Sequence, residues 1–405
     1  MKKYRFLLII LLLCTELVAS ACTSIIISGK YTRNGRPIIW KNRDTDELQN
    51  AIMYFRDGKY EYMGLIDAND TKGESVWIGY NSSGFAIMNT ASYNLIEKDT
   101  VDIDGKEGVL MRMALKECAT IEEFEKFLVN LPKPMDVEAN FGVIDANGGA
   151  AYFEVDNYRF KKLDVNDPKI APFGYLIHTN FSFTGNKNKG SGHIRYKTAE
   201  DLFFEAAQQN NLTVRFILQN VSRSLWHSLT KTDLRIQHSP FPEEQKFVFF
   251  EDFIPRYITS AAVAIEGVKP GENPEYTTMW TLLGFPLNTV VVPLWLCEAK
   301  NLPEIVVRNK SEFAPLCDKA IQLKDLLFPI KRAYGEKYIN VNALFNSNNT
   351  GIMQKLKPLD DLLFDKGLRK LDEWRINKNF KKEIPQFYQW INDTIIGTYL
   401  KLFGI

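Results

Sequence analysis

A cysteine that directly follows a leader-like segment and opens a β-branched run constrains this chain more than any other feature. Lys2, Lys3 and Arg5 begin the sequence, Phe6 to Leu13 is an unbroken apolar run, and Ala19-Ser20-Ala21 places small residues where a signal peptidase reads them. A membrane-spanning helix needs roughly 20 apolar residues, and this run is far shorter. The layout predicts a secretory signal peptide over residues 1–21 and export, to the periplasm or the medium if the source is bacterial. No later segment reaches spanning length without charges, and Pro293 interrupts the apolar stretch Val290 to Cys297. No membrane span is expected.

Cleavage after Ala21 makes Cys22 the N-terminus. Such a residue carries a thiol that can attack a carbonyl and an α-amine whose ordinary pKa is near ~8, so it supplies its own general base. That suits a chain with four histidines, His178, His193, His227 and His238, none at metal-ligand spacing. His178 lies close enough to Asn180 in sequence to line a pocket. Two other readings of Cys22 stay open. A bacterial lipoprotein would acylate it and leave a binding or surface protein without turnover, although that signal favours a large aliphatic residue where Ala19 stands. It could also be an ordinary buried thiol. Cys118, Cys297 and Cys317 form no C-x-x-C pair, so neither a metal nor a cofactor is expected. An oxidising compartment permits a disulfide, for instance Cys297 with Cys317.

The 405 residues include 50 basic and 49 acidic ones, a net +1. Losing Lys2, Lys3, Arg5 and Glu16 with the leader shifts this to −1. Charge this balanced gives no reason to expect a nucleic-acid partner.

Thr23 to Ser28 reads as a strand, Asn34-Gly35 as a hairpin turn and Pro37 to Trp40 as the return strand. Lys41-Asn42-Arg43-Asp44 then falls level with the start of the first strand, which brings Asp44 back near Cys22. Val76 to Asn89 reads as a second hairpin around Asn81-Ser82-Ser83-Gly84. Phe141 to Ile144 and Ala150 to Val155 flank a third turn at Asn147-Gly148. Helices are expected over Glu107 to Glu117, Ile121 to Val129, Thr198 to Gln208 and Leu212 to Asn220, and strands recur between Gln245 and Pro293. Many hairpins with few βαβ units predict an α+β fold with stacked antiparallel sheets. Beyond residue 300 the character turns helical, around Leu326 to Phe328, Leu362 to Phe364, and a final amphipathic helix carrying Phe387, Trp390, Ile391, Ile395 and Tyr399. Its apolar face is expected to cap the core; a homo-oligomer contact is the other use of such a face.

The segment CTSIIISGKYTRNGRPIIWKNRD resembles the N-terminus of the N-terminal-nucleophile hydrolases, and most closely the acyl-CoA:6-aminopenicillanate acyltransferase family. Relatives of that family include the choloylglycine hydrolase and penicillin V acylase group and acid ceramidase. Val76 to Thr90, Ala139 to Asp156, LIHTNFS (Leu176 to Ser182), GSGHIRY (Gly190 to Tyr196) and Met279 to Trp295 resemble later family segments in matching order. The resemblance implies a four-layer αββα sandwich over residues 22–300, with residues 301–405 as a mostly helical extension. It implies Cys22 as nucleophile, Asp44 as the group that positions it, Asn180 as an oxyanion donor, Arg195 as an orienting charge, and a second donor near Asn89. Lys41 stands where bile salt hydrolases and acid ceramidase carry Arg. Lys lacks the planar bidentate fork, which points away from bile salts and towards the acyltransferase-like branch. Dipeptidase-type relatives also begin with Cys-Thr. The expected activity is cleavage of a linear, non-peptide amide of a small-molecule substrate with an apolar acyl group, through an acyl-thioester released to water or to an amine.

Overall fold

The computed structural model describes residues 21–96, 105–236, 241 and 244–405, so the expected leader, apart from Ala21, lies outside the described residues. The β-branched run after Cys22 forms β1 (Thr23–Ile27), and the chain returns as β2 (Ile38–Asp44). Gly35 in the turn takes φ +74°, the left-handed region that glycine enters without steric cost. Thr23 faces Asn42 and Ser24 faces Lys41 across the hairpin. A meander follows through β3 (Asn50–Phe55), β4 (Tyr62–Asp67), β5 (Ile78–Asn81) and β6 (Ala86–Ala91). Helices α1 (Glu107–Glu117) and α2 (Ile121–Asn130) come next, the second capped by the Thr120 side chain. Strands β7 (Ala139–Ile144), β8 (Ala150–Val155) and β9 (Phe160–Asp164) then complete a seven-stranded antiparallel sheet in chain order.

Strand β10 (Tyr175–His178) pairs with the free side of β1. Helix α3 (His193–Gln208) begins before the expected Thr198, because Gly192 caps it at φ +83°. The buried Arg195 in its first turn breaks the apolar stripe that marks a helix in sequence. The helix expected at Leu212 to Asn220 is a short α4 (Val214–Phe216) running into a π turn over Ile217–Val221. A small ribbon, β11 (Trp226–His227) with β12 (Thr232–Asp233), precedes β13 (Phe247–Phe249). Strands β14 (Thr259–Glu266), β15 (Thr278–Leu283) and β16 (Val291–Leu294) finish a six-stranded antiparallel sheet in the order β10-β1-β2-β14-β15-β16.

Alternation along a strand gives β1 and β2 two faces. One meets the seven-stranded sheet: Ser24 Oγ lies 2.9 Å from Tyr152 Oη on β8, and Lys41 Nζ donates to Asn89 Oδ1 on β6 at 2.6 Å. The other face meets helix: Trp40 packs against Phe203 of α3, and its indole N–H donates to Ser222 Oγ at 2.9 Å. Helix α1 lies against β5 and β6 on the outside of the second sheet. The result is an α+β fold with helix, sheet, sheet and helix stacked as four layers.

The remaining chain adds α5 (Pro315–Leu327), β17 (Tyr338–Asn340), α6 (Val341–Leu344), α7 (Ile352–Asn377) and α8 (Phe380–Phe403). It is fastened to the sheets. Strand β17 pairs with β13 in a separate two-stranded sheet, and Asp360 of α7 accepts from Arg223 Nη1 and Nη2 and from the backbone of Val291 on β16. Phe387, Tyr388, Ile391, Ile395 and Tyr399 of α8 are buried, and Tyr388 Oη accepts from Trp295 N at 2.8 Å.

Candidate active site

Cys22 is 2% exposed at the head of β1. Its nitrogen donates to Asn180 Oδ1 at 3.1 Å, and its carbonyl accepts from Arg195 Nη1 at 2.7 Å. Arg195 also donates to Thr23 Oγ1 and, through Nη2, to Asn180 Oδ1, both at 2.8 Å. Asn180 Nδ2 donates to the Ala91 carbonyl at the end of β6, at 3.0 Å. One hydrogen-bonded group thus joins the start of β1, the end of β10, the end of β6 and the first turn of α3.

The local sequence makes this convergence feasible. Asn180 bridges to Ser191, which folds the loop between β10 and α3 back on itself. A Cβ on Gly192 would lie 2.5 Å from Arg195 Nη2 and 2.9 Å from Thr179 Cβ. Glycine is required there both by its φ and by the approach of the guanidinium. Arg195 is fully buried, and burial, with Arg256 nearby, pulls its pKa down to about 10 against the favourable charges of Asp44 and Cys22. It remains a cation at neutral pH.

Asp44 lies on the opposite face of β2 from Lys41. It accepts from Arg256 Nε at 2.9 Å and from Thr259 Oγ1 at 2.6 Å. Burial works against the Arg256 cation, but Asp44 outweighs it and holds the guanidinium above its usual range. Sequence reading missed Arg256. It is a lone arginine ahead of β14, and nothing local distinguishes it from a surface residue.

On the face turned to the second sheet, Lys41 Nζ donates to Asn89 Oδ1 and to the Trp77 carbonyl, the latter at 3.2 Å. The Asn89 oxygen is thereby engaged by Lys41. Arg43 pairs with Asp67 at 2.7 Å and lies over the Trp77 ring at 4.7 Å. Burial lowers the Lys41 pKa to about 8, with Cys22 acting in the opposite direction. Glu107 at the head of α1 is pushed upward by its own burial, as is the Tyr93 phenol, which also feels Cys22. Trp77, Tyr93 and Glu107 complete the surroundings and carried no functional signal in sequence.

His178 is fully buried between Tyr152 and Phe183, and burial drives its pKa to about 4 despite Glu154 at 3.6 Å. It is a neutral packing residue. The disulfide considered between Cys297 and Cys317 does not form: Cys118, Cys297 and Cys317 are free thiols, each pushed up to about 12 by burial. Cys317 Sγ is engaged by Asn50 N and the Leu48 carbonyl instead. Among the described residues, no three His, Cys, Asp or Glu side chains converge as metal ligands would, and no helix is long and apolar enough to cross a membrane.

The profile of the acyl-coenzyme A:6-aminopenicillanic acid acyl-transferase family matches residues 31–236. No curated protein matches the chain. Among solved structures, the chain is similar to the Caenorhabditis elegans N-acylethanolamine-hydrolyzing acid amidase ortholog, at 20% identity over 48% of this chain and 86% of that one, with a TM-score of 0.35. It is similar to the conjugated bile acid hydrolase of Clostridium perfringens, at 13% identity over 68% and 93%, with a TM-score of 0.42. It is also similar to the penicillin V acylase of Agrobacterium tumefaciens, at 13% identity over 68% and 86%, with a TM-score of 0.35.

Proposed function

This chain belongs to the acyl-coenzyme A:6-aminopenicillanic acid acyl-transferase family, and on that premise we propose that it is an exported cysteine amidohydrolase acting on a linear acyl-amide. The observation that carries this reading is the clamp on Cys22, with its nitrogen on Asn180 and its carbonyl on Arg195. Both backbone groups of the first residue of the mature chain are thereby fixed, which a residue serving as its own base requires.

In the proposed reaction the α-amine takes the thiol proton as Cys22 Sγ attacks the amide carbon. Asn180 Nδ2 receives the oxyanion, with a second donor from the region of Asn89. A neutral amide donor serves this purpose at any pH. Collapse returns the proton to the departing amine and leaves an acyl-thioester. Water then adds to the thioester, and the acid leaves as the thiol is restored; an amine in place of water makes the same intermediate an acyltransferase. Arg195 holds the head of β1 in place through the Cys22 carbonyl and Thr23 Oγ1, and Asp44 fixes Arg256.

The test is turnover of a panel of fluorogenic N-acyl-aminocoumarins by the mature protein and its Cys22→Ala variant. The reading expects release of the amine by the wild type alone. Equal release by Cys22→Ala would end it. Added glycine or hydroxylamine separates the two fates of the thioester, because transfer yields the acyl-glycine or hydroxamate at the expense of free acid.

A further inference from the structure

Helix α5 turns its apolar side inward, and Leu316, Cys317, Ala320, Leu323 and Leu327 are buried along it. Lys324 lies on that same side and is 3% exposed. Burying a lysine there costs stability that a leucine or methionine would not. Its Nζ stands 4.2 Å from the centre of the Tyr257 ring and 5.3 Å from that of Phe285, and it donates to the Tyr257 carbonyl. Burial lowers its pKa to about 7, but an amine donates to a carbonyl in either protonation state, so the contact does not depend on the charge. Tyr257 follows Arg256 in the loop ahead of β14. On its other side this loop is bonded to β2. Arg256 Nε and Thr259 Oγ1 donate to Asp44 at 2.9 and 2.6 Å, Asn42 Nδ2 donates to the Ile254 carbonyl at 3.0 Å, and Thr45 N donates to the Ile258 carbonyl at 2.9 Å. Asn42 faces Thr23 across the hairpin, next to Cys22 in the chain. The Arg256 cation also bears on Arg195, which holds the Cys22 carbonyl. The loop therefore lies between β2 and α5, and loss of the donor on the α5 side would let the Arg256 backbone shift.

We propose that Lys324, supplied by the helical extension, is a positioning residue for the active site: by fixing the Tyr257 carbonyl it sets Arg256 against Asp44 at the end of the hairpin that carries Cys22. This rests on Cys22 being the nucleophile. It gives the extension a part in catalysis beyond covering the sheets, through a residue outside the span 31–236 that the family profile matches.

The test is aminocoumarin release by Lys324→Met, which keeps an unbranched side chain and removes the donor, with kcat expressed per folded molecule and stability read by urea denaturation. A part in packing alone would lower stability and leave kcat where it is. A positioning part does the reverse. Then kcat should fall about tenfold with KM within about twofold of wild type, as a small displacement of a catalytic group implies, while stability stays level or rises. Arg256→Lys should itself slow turnover, and adding Lys324→Met to it should cost less than about twofold more, because the two act through one contact. Lys324→Leu takes the place of the methionine variant if that one does not fold. Wild-type kcat in the variant without the donor, or an undiminished further loss in the double variant, would overturn the proposal and leave Cys22 as nucleophile. Retained turnover in Cys22→Ala would instead remove the reading beneath it.

Discussion

Two deeply buried regions of this molecule follow opposite rules. Where β15 and β16 meet α7 and α8, the interior is aromatic: Trp295 and Trp374 meet edge to face at 5.0 Å, and Trp280 stacks on Phe364 at 5.3 Å. Around Cys22 the interior is charged and polar, with Lys41, Arg43, Asp44, Asn180 and Arg195 all buried. The first region stabilises the fold through burial of apolar surface. The second costs stability unless every charge is met by a partner. Aromatic packing at one end of the sheet allows the other end to hold an arrangement that a folding criterion alone would not select.

The sharpest break between the two regions is Cys22→Ala. Turnover is expected to fall at least ~10⁴-fold, as losses of nucleophiles do, with the thermal melt essentially unchanged. Asn180→Ala should cost about 10²–10³ in kcat, the usual value of one oxyanion donor. Single-turnover kinetics would assign that loss to formation of the thioester. The aromatic end should respond the other way. Trp374→Ala is expected to remove about 3–5 kcal/mol of stability, read by urea denaturation, with kcat per folded molecule near wild type. Asp44→Asn joins the two behaviours, because it leaves Arg256 buried without its carboxylate. It should cost about 3–5 kcal/mol and slow turnover as well. The exposed Lys197, which bridges to Glu200 and Asp201 on α3, should tolerate alanine with no measurable change in either quantity.

The hairpins and the helical character beyond residue 300 are legible in sequence because their signals are short-ranged. Asn34-Gly35 and Asn147-Gly148 announce their turns, α1 occupies Glu107–Glu117 as its periodicity implies, and the face of α8 follows its 3.6-residue spacing. The chemistry near Cys22 was legible only in part. The hairpin register that returns Asp44 towards Cys22 is local, and it could be read. Lys41 with Asn89, and Asp44 with Arg256, are contacts between strands and loops far apart in sequence, created when the sheets stack and when β14 joins β2. No local pattern marks a lysine or an arginine that such stacking will bury. For the same reason periodicity alone starts α3 at Thr198 and not at His193: a buried Arg195 reads as polar in sequence and hides the helix face to which it belongs, whereas the segment Gly190 to Tyr196 resembles an Arg-containing helix start.

The central claim is that Cys22 is a free N-terminal nucleophile, and the intact mass of the purified protein, before and after reaction with a thiol-reactive acylating probe, tests it most directly. The account predicts a chain that begins at an unmodified Cys22 and gains one label there, while the deeply buried Cys118 and Cys317 stay unlabelled. A lipid on Cys22, a chain that begins upstream of it, or a label found only on another cysteine would contradict it.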